Sequence, residues 1–329
     1  MVAAVSNPSG KISERIEITT LGEAMVVMDP LSRGPLRHVG TFAKRVGGAE
    51  LNVAVGLSRL GHRVGWAGHL GEDEFGKEIL AFLRGEEVDV SRVRVDLEAP
   101  TGLYFKERRA LDQLRAYYYR EGSAASRMSF EELDVDYLLS AEVLHLTGIT
   151  SSLSESCRDL TERLVREAKE RNVPVSFDTN VRFGLLKGRE PQEVLGLLID
   201  CADVLFLSDE EAELILGGST PQSVRQAKKV TKTQTVVVHG AEGGFALDGG
   251  DELAEKKAFP TEVVDTVGAG DAFVAGFLSG WLQGWSVGEC LELANACGAC
   301  AVSVPGDAQS MPTKEDALAL VGGSSERER

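Results

Sequence analysis

The chain has 329 residues, 43% hydrophobic and 26% charged, with a formal net charge of −16. Its length allows one large domain or two ordinary ones, and its negative balance excludes nonspecific binding to nucleic acid or anionic membranes, which needs basic surfaces. Any anionic substrate must therefore be held by local cations and backbone N–H groups.

The first fifteen residues and 324–329 have the composition of disordered tails, leaving a domain over 16–323. Within the N-terminal third, "ITTLGEAMVVMDP", "TFAKRVGG", "TGLYFKERRA" and "QLRAYYYREGS" are short, alternating and rich in aromatic and β-branched residues. They predict antiparallel strands of a small inserted sheet, a lid over about 25–46 and 94–125. Between them, "GGAELNVAVGLSRLG" predicts a helix with Leu51, Val55 and Leu60 inward, and "RVGWAGHLG" a strand. From residue 137 the texture changes. "EVLHLTGI", "VPVSFDTN", "VLFLS" and "TVVVHG" are strand-like and alternate with helical patterns such as "SESCRDLTERLVREAKERN". That order predicts βαβ units and a parallel sheet with helices on both faces, with ligands outside the carboxyl ends of its strands.

In "VDTVGAGDAFVAGFLSGWLQG", Phe273, Phe277 and Trp281 recur every four residues, so a helix begins near Ala269. Gly268 and Gly270 let the backbone approach a phosphate closely and aim N–H groups at it. Asp271 then falls in the first turn, either as a helix cap or as the base that takes a proton from an attacking hydroxyl. In "SFDTNVRF", Asp178, Asn180 and Arg182 alternate at period two and point one way at a strand end. Arg182 there either pairs with Asp178 or holds a substrate carboxylate or phosphate bidentately. "LRAYYYREGS" brings Tyr118 and Arg120 to one face, and "TGLYF" adds Tyr104. Cys297 and Cys300 form a C-x-x-C in an Ala-rich stretch without two further ligands nearby, so they read as small packed residues and not as a zinc or redox pair. His239, at the end of an apolar strand, is given no catalytic role. With no targeting segment, no apolar run of ~20 residues and five cysteines without framework spacing, a cytoplasmic protein is expected.

"DTVGAGDAF" (265–273), "GGAELNVAVGLSRLG" (47–61) and "GHLGEDEFG" (68–76) resemble, in order, the signatures of the ribokinase-like (phosphofructokinase B) carbohydrate kinases. "YYREGSA" and "DTNVR" are similar to the branch of that family acting on 2-dehydro-3-deoxygluconate. The resemblance implies a ribokinase-like α/β fold with a β lid. It implies ATP and Mg²⁺ as cofactors, with a monovalent cation as an option, and phosphorylation of the 6-hydroxyl of the sugar acid. By position, Asp271 becomes the base and Gly268, Ala269 and Gly270 the anion hole. Gly48, Asn52, Tyr104, Tyr118, Arg120, Arg182 and Asp307 contact substrate. Asn180, Ser208, Gly240, Ala241, Gly243, Gly244 and Asn295 line the nucleotide, together with Gly268 and Gly270. Ser208 stands where much of the family has Asn. Glu211 is a candidate Mg²⁺ organiser through water, and Asp265 a candidate in a cation-binding loop. A homo-oligomer joined through lids is expected, because an exposed sheet edge is a liability unless paired. A neutral-ketose kinase such as a fructokinase is the alternative within the family, and a non-catalytic sugar- or nucleotide-binding regulator the alternative outside it.

Overall fold

The computed structural model describes residues 15–109, 114–231, 235–249 and 252–327. In chain order, β1 (Ile18–Leu21), β2 (Met25–Pro30) and β3 (Phe42–Gly47) precede α1 (Ala49–Arg59), β4 (Val64–Gly71) and α2 (Glu74–Gly85). Next come β5 (Val93–Asp96), β6 (Leu103–Arg108), β7 (Leu114–Tyr119), α3 (Val135–Leu138), β8 (Val143–Thr147), α4 (Gly148–Leu153) and α5 (Glu155–Glu170). They are followed by β9 (Val175–Asp178), α6 (Phe183–Leu186), α7 (Pro191–Cys201), β10 (Val204–Ser208), α8 (Asp209–Leu216) and α9 (Pro221–Thr231). The chain then forms β11 (Thr235–Gly240), β12 (Gly243–Leu247), β13 (Leu253–Lys257), α10 (Ala269–Leu282), α11 (Val287–Val302) and α12 (Lys314–Arg327).

Nine strands form one sheet in the order β13-β12-β11-β10-β9-β8-β1-β4-β5. All neighbours from β11 to β5 run parallel, and β12 and β13 add an antiparallel edge. The "VLFL" run of β10 shows why the strands read as unbroken apolar stretches. Val204 and Phe206 enter the core that includes Leu51 of α1 and Phe277 of α10, while Leu205 and Leu207 enter the core on the other face with Leu160 and Leu195. A parallel strand covered on both faces has no solvent side to keep polar.

The lid is a separate four-stranded sheet, β3-β2-β6-β7. Its β2–β6 pair is parallel, unlike the antiparallel pairing expected throughout; β2–β3 and β6–β7 are antiparallel. Two sequence expectations are corrected. "ITTL" is no lid strand: β1 pairs with β4 and β8 inside the large sheet, where Ile18 and Leu21 are fully buried. Likewise β5 lies at the large sheet's edge beside β4, although it falls in the stretch assigned to the lid. The predicted N-terminal tail lies, apart from Arg15, outside the described residues, as do 328–329. α12 continues past 323 to Arg327.

The parallel strands deliver their carboxyl ends to one edge. Glu23 follows β1, Thr147 ends β8, Asp178 ends β9, Ser208 ends β10, and His239 lies near the end of β11.

Candidate active site

A cavity of about 430 Å³ opens at that edge, with walls that include Asn52, Arg182 and Asp271 and a lid side formed by Tyr104, Tyr118 and Arg120. A second cavity of about 580 Å³ adjoins it, lined among others by Gly240, Ala241, Phe273 and Asn295. Thr266, Gly270 and His239 line both, so the two cavities meet at the turn that starts α10.

That turn is built as its glycines predict. Gly268 caps α10 with φ of 82°, a left-handed conformation that a side-chain-bearing residue adopts only at a cost. The first N–H groups of a helix have no intrahelical partner, and Asp271 lies in this first turn. One member of the expected anion hole is turned away: the Ala269 N–H donates to the Thr266 carbonyl at 3.3 Å. Asp271 makes no side-chain cap. Its Oδ2 accepts from Asn52 Nδ2 at 2.7 Å. Burial pushes its carboxyl up to about 7, against the pull of the Asn52 hydrogen bond and the Arg182 charge, while Asp307 and Glu50 push it higher. A buried carboxyl poised near neutrality has the property wanted in a general base. Asn52 is set by α1, whose cap Gly48 has φ of 147° and leaves room for the Glu23 carbonyl.

The two arginines differ. Arg120 is buried and ion-paired with the equally buried Glu23, whose other oxygen accepts from Ser123 Oγ at 2.7 Å. Arg120 therefore has a carboxylate partner within the fold, independent of any substrate. Arg182 is exposed at the cavity mouth and donates to the Val181 carbonyl at 3.1 Å. Among the described residues no carboxylate forms an ion pair with it, so the alternative of an Arg182–Asp178 pair does not hold. The period-two placement is corrected as well. β9 stops at Asp178 and Asn180 turns left-handed (φ 38°), yet all three side chains still line the cavity. Asp178 accepts from Asn180 Nδ2 at 3.0 Å. Burial raises its carboxyl well above the ordinary range, and the charges of Glu211 and Asp271 raise it further.

The inner lid face carries Tyr104 and Tyr118, with ring centroids 5.1 Å apart. Tyr104 donates to Asp307, and Lys106 Nζ reaches Asp307 Oδ1 at 2.5 Å and Asp265 Oδ2 at 3.2 Å. Arg108 reaches Asp265 Oδ2 at 2.6 Å. Asp265 is thus occupied by two cations. Burial opposes its charge, but Lys106 and Arg108 outweigh that and hold its carboxyl below the ordinary value. A further cation on this carboxylate would meet both of them, which argues against the cation-loop expectation for its side chain. Glu211 completes a capping box with Ser208 and also accepts from Val181 N at 2.5 Å and Thr179 Oγ1 at 2.9 Å. Among the described residues no cluster of three or more His, Cys, Asp or Glu side chains is arranged to hold a metal directly.

Of the expected nucleotide residues, Gly240, Ala241, Gly270 and Asn295 line the second cavity. Asn180 and Ser208 line the first, as do Gly268 and Gly270. Gly243 and Gly244 line neither; they lie in β12 against β11 and β13. The cysteines are free, and burial raises the thiols of both Cys297 and Cys300, as the packing reading requires. Sequence reasoning missed Glu23, Lys106 and Thr266, and gave no role to His239. His239 stacks on Phe273 (4.7 Å between centroids) where the two cavities join. An available signal for Lys106 was its place between Tyr104 and Arg108 at period two.

Residues 15–314 match the family described as pfkB family carbohydrate kinase. The chain is 38% identical over 304 residues to the 2-dehydro-3-deoxygluconokinase of Bacillus subtilis (strain 168), covering 92% of this chain and 94% of that relative. It is 35% identical over 312 residues to that of Thermoproteus tenax, covering 93% and 94%. A crystal structure of fructokinase with bound ATP from Xylella fastidiosa superposes with a TM-score of 0.83 at 28% identity, covering 94% of this chain and 99% of that one. With the turn, the buried carboxyl and the paired cavities already in place, these likenesses settle the class: the chain belongs to the pfkB family of carbohydrate kinases.

Proposed function

We propose that this kinase transfers the γ-phosphoryl group of ATP to the 6-hydroxyl of 2-dehydro-3-deoxy-D-gluconate, giving the 6-phosphate and ADP. The observation that carries the substrate is Arg182, a guanidinium at the mouth of the Asp271 cavity without a carboxylate of its own among the described residues. A sugar acid supplies that charge. ATP takes the second cavity, with the base near Asn295 and the phosphates at the Gly268–Gly270 turn where the cavities meet. The substrate oxygen attacks the γ-phosphorus, its proton passes to the Asp271 carboxylate, and the bond to the bridging oxygen of ADP breaks. The N–H groups of Gly268 and Gly270, with that of Ala269 already given to Thr266, meet the charge that gathers on the transferred group. The lid keeps water from the phosphoryl group.

Burial first and then the charges of Glu211 and Asp271 raise the Asp178 carboxyl, and a divalent cation nearby would relieve that crowding. Mg²⁺ would be held chiefly by phosphates and waters, with Asp178 and, through water, Glu211 on the protein side, and would supply neutralisation of phosphate charge. Subunits pair through the lids: Tyr117 and Tyr119 of the edge strand β7 are 39% and 63% exposed and extend the aromatic face of Phe42 and Phe105. A monomer by light scattering at micromolar concentration overturns that pairing. Free thiols suit a reducing cytoplasm.

One observation favours the neutral-ketose reading: Arg120 already has Glu23. Coupled ADP-release rates on sugar acids and neutral ketoses decide. We expect kcat/KM for the acid to exceed that for fructose by about tenfold or more, the worth of one charge-assisted hydrogen bond. Parity or preference for fructose overturns the proposal.

A further inference from the structure

Tyr104, Lys106 and Arg108 alternate along β6 and reach the body of the protein together. Tyr104 donates to Asp307, Lys106 bridges Asp307 and Asp265, and Arg108 bridges Asp265 and Asp29 (3.2 Å), where Arg45 also ends (3.2 Å). Lys106 is 1% exposed and its two partners are 2% and 3% exposed, so the ammonium sits wholly between them. Both aspartates flank the catalytic turn. The second oxygen of Asp265 accepts the Val267 N–H at 3.2 Å, just before Gly268. The Asp307 backbone carbonyl lies 3.4 Å from where a Gly268 Cβ would stand and also takes the Ser310 hydroxyl at 2.7 Å. Without a cation between them, these two buried carboxylates next to that turn repel each other. Arg108 neutralises one of them only.

We infer that Lys106 is a positioning residue for phosphoryl transfer, clamping the Asp265 and Asp307 segments together so that the lid strand fixes the geometry of the Gly268–Gly270 turn. Lys106 is absent from the lining of both cavities, so it acts through the turn and not on either substrate. The inference rests on the reading that this turn holds the transferring phosphoryl group, but not on which sugar accepts it.

The test replaces Lys106 by Met and uses whichever sugar the wild type phosphorylates fastest. We expect kcat to fall about 10²-fold, the usual effect of disturbing one donor of such a site, while KM for sugar and the Kd for ATP move less than about threefold. The readout specific to positioning is titration with ADP plus aluminium fluoride in the presence of sugar. This mimic of the transferring group binds the wild type more tightly than ADP alone, and the variant should lose that gain. Arg108→Met is the control: it removes the ion pairs to Asp265 and Asp29 but leaves Lys106 between Asp265 and Asp307, and kcat should stay within about threefold. If Lys106→Met does not fold, Lys106→Gln, which keeps a neutral donor, is measured the same way. Melting temperature lowered with kcat and the aluminium fluoride gain intact makes Lys106 purely structural and overturns the inference. A wild type that shows no such gain removes the reading of the turn itself, and the inference falls with it.

Discussion

Replacing Asp271 by Asn should stabilise the protein at pH 8 while removing its activity. The carboxyl is raised from the ordinary 3.8 to about 7, a difference of about 3 units. At about 1.36 kcal/mol per unit this corresponds to at most about 4 kcal/mol. The sign follows from which state holds the proton more tightly. Here the folded state does, so the carboxyl carries no penalty below the unfolded value, near pH 4. The penalty grows as pH rises and is complete above the folded value, near pH 7. Asn, which cannot ionise, escapes it and can still accept from Asn52. The gain should therefore be largest at pH 8 and vanish toward pH 4.

Urea unfolding of both proteins at several pH values between 4 and 8 measures this difference directly, and single-turnover assays at pH 8 measure the loss of function. Turnover should fall about 10²–10⁴-fold, the range for a positioned general base. A helix cap predicts the opposite sign. A negative charge in a first turn is worth about 0.3–1 kcal/mol to the fold, and Asn would forfeit it. Loss of stability at pH 8, or more than a tenth of the wild-type turnover, refutes the reasoning.

Four further outcomes are expected. Asn52→Ala deletes the donor 2.7 Å from Asp271, a bond worth about 1.5–3 kcal/mol to the charged form. The acid limb of the kcat/KM profile should move about 1–2 units to higher pH, and an unmoved limb disconnects Asp271 from that limb. Arg182→Met should lower kcat/KM for the sugar acid about tenfold or more while sparing neutral ketoses. Arg120→Met, by stranding Glu23, should destabilise the fold by about 3–5 kcal/mol and affect both substrate classes alike; equal losses in both variants remove the sugar-acid argument. Cys157, Cys290 and Cys297, buried and with thiols raised by burial, should resist alkylation at pH 8 until the protein unfolds, as followed by mass spectrometry.

What the sequence disclosed depended on how far a residue sits from its partners along the chain. The α10 turn was legible because glycines, acid and helix start are contiguous, and the parallel sheet because strands buried on both faces leave unbroken apolar runs. The fate of "ITTL" was not legible. Four alternating residues suit either sheet, and only pairing with β4 and β8 decides. Asn180 misled in a different way, since period two holds only while the strand continues, and a left-handed residue ends it.

Glu23 is the residue whose omission changes an argument. It lies between β1 and β2, and its partners Arg120 and Ser123 come about a hundred positions later, after the lid strands. By the resemblance, Arg120 and Arg182 are both expected to contact the substrate. In the fold, the charge of Arg120 is balanced by Glu23, although its buried Nε and Nη2 make no hydrogen bond. Arg182 stands at the same cavity with no such match among the described residues. The case for a sugar acid thus narrows from two cations to one, and it becomes sharper for doing so. A neutral ketose leaves Arg182 to water at an exposed mouth, a small cost, whereas a sugar acid gives it a charge-assisted partner. Selectivity should therefore come from attraction at Arg182 and not from any penalty for leaving Arg120 unpaired. On that basis the enzyme should retain measurable, slower turnover of neutral ketoses, with the discrimination between the two classes collapsing when Arg182 is replaced.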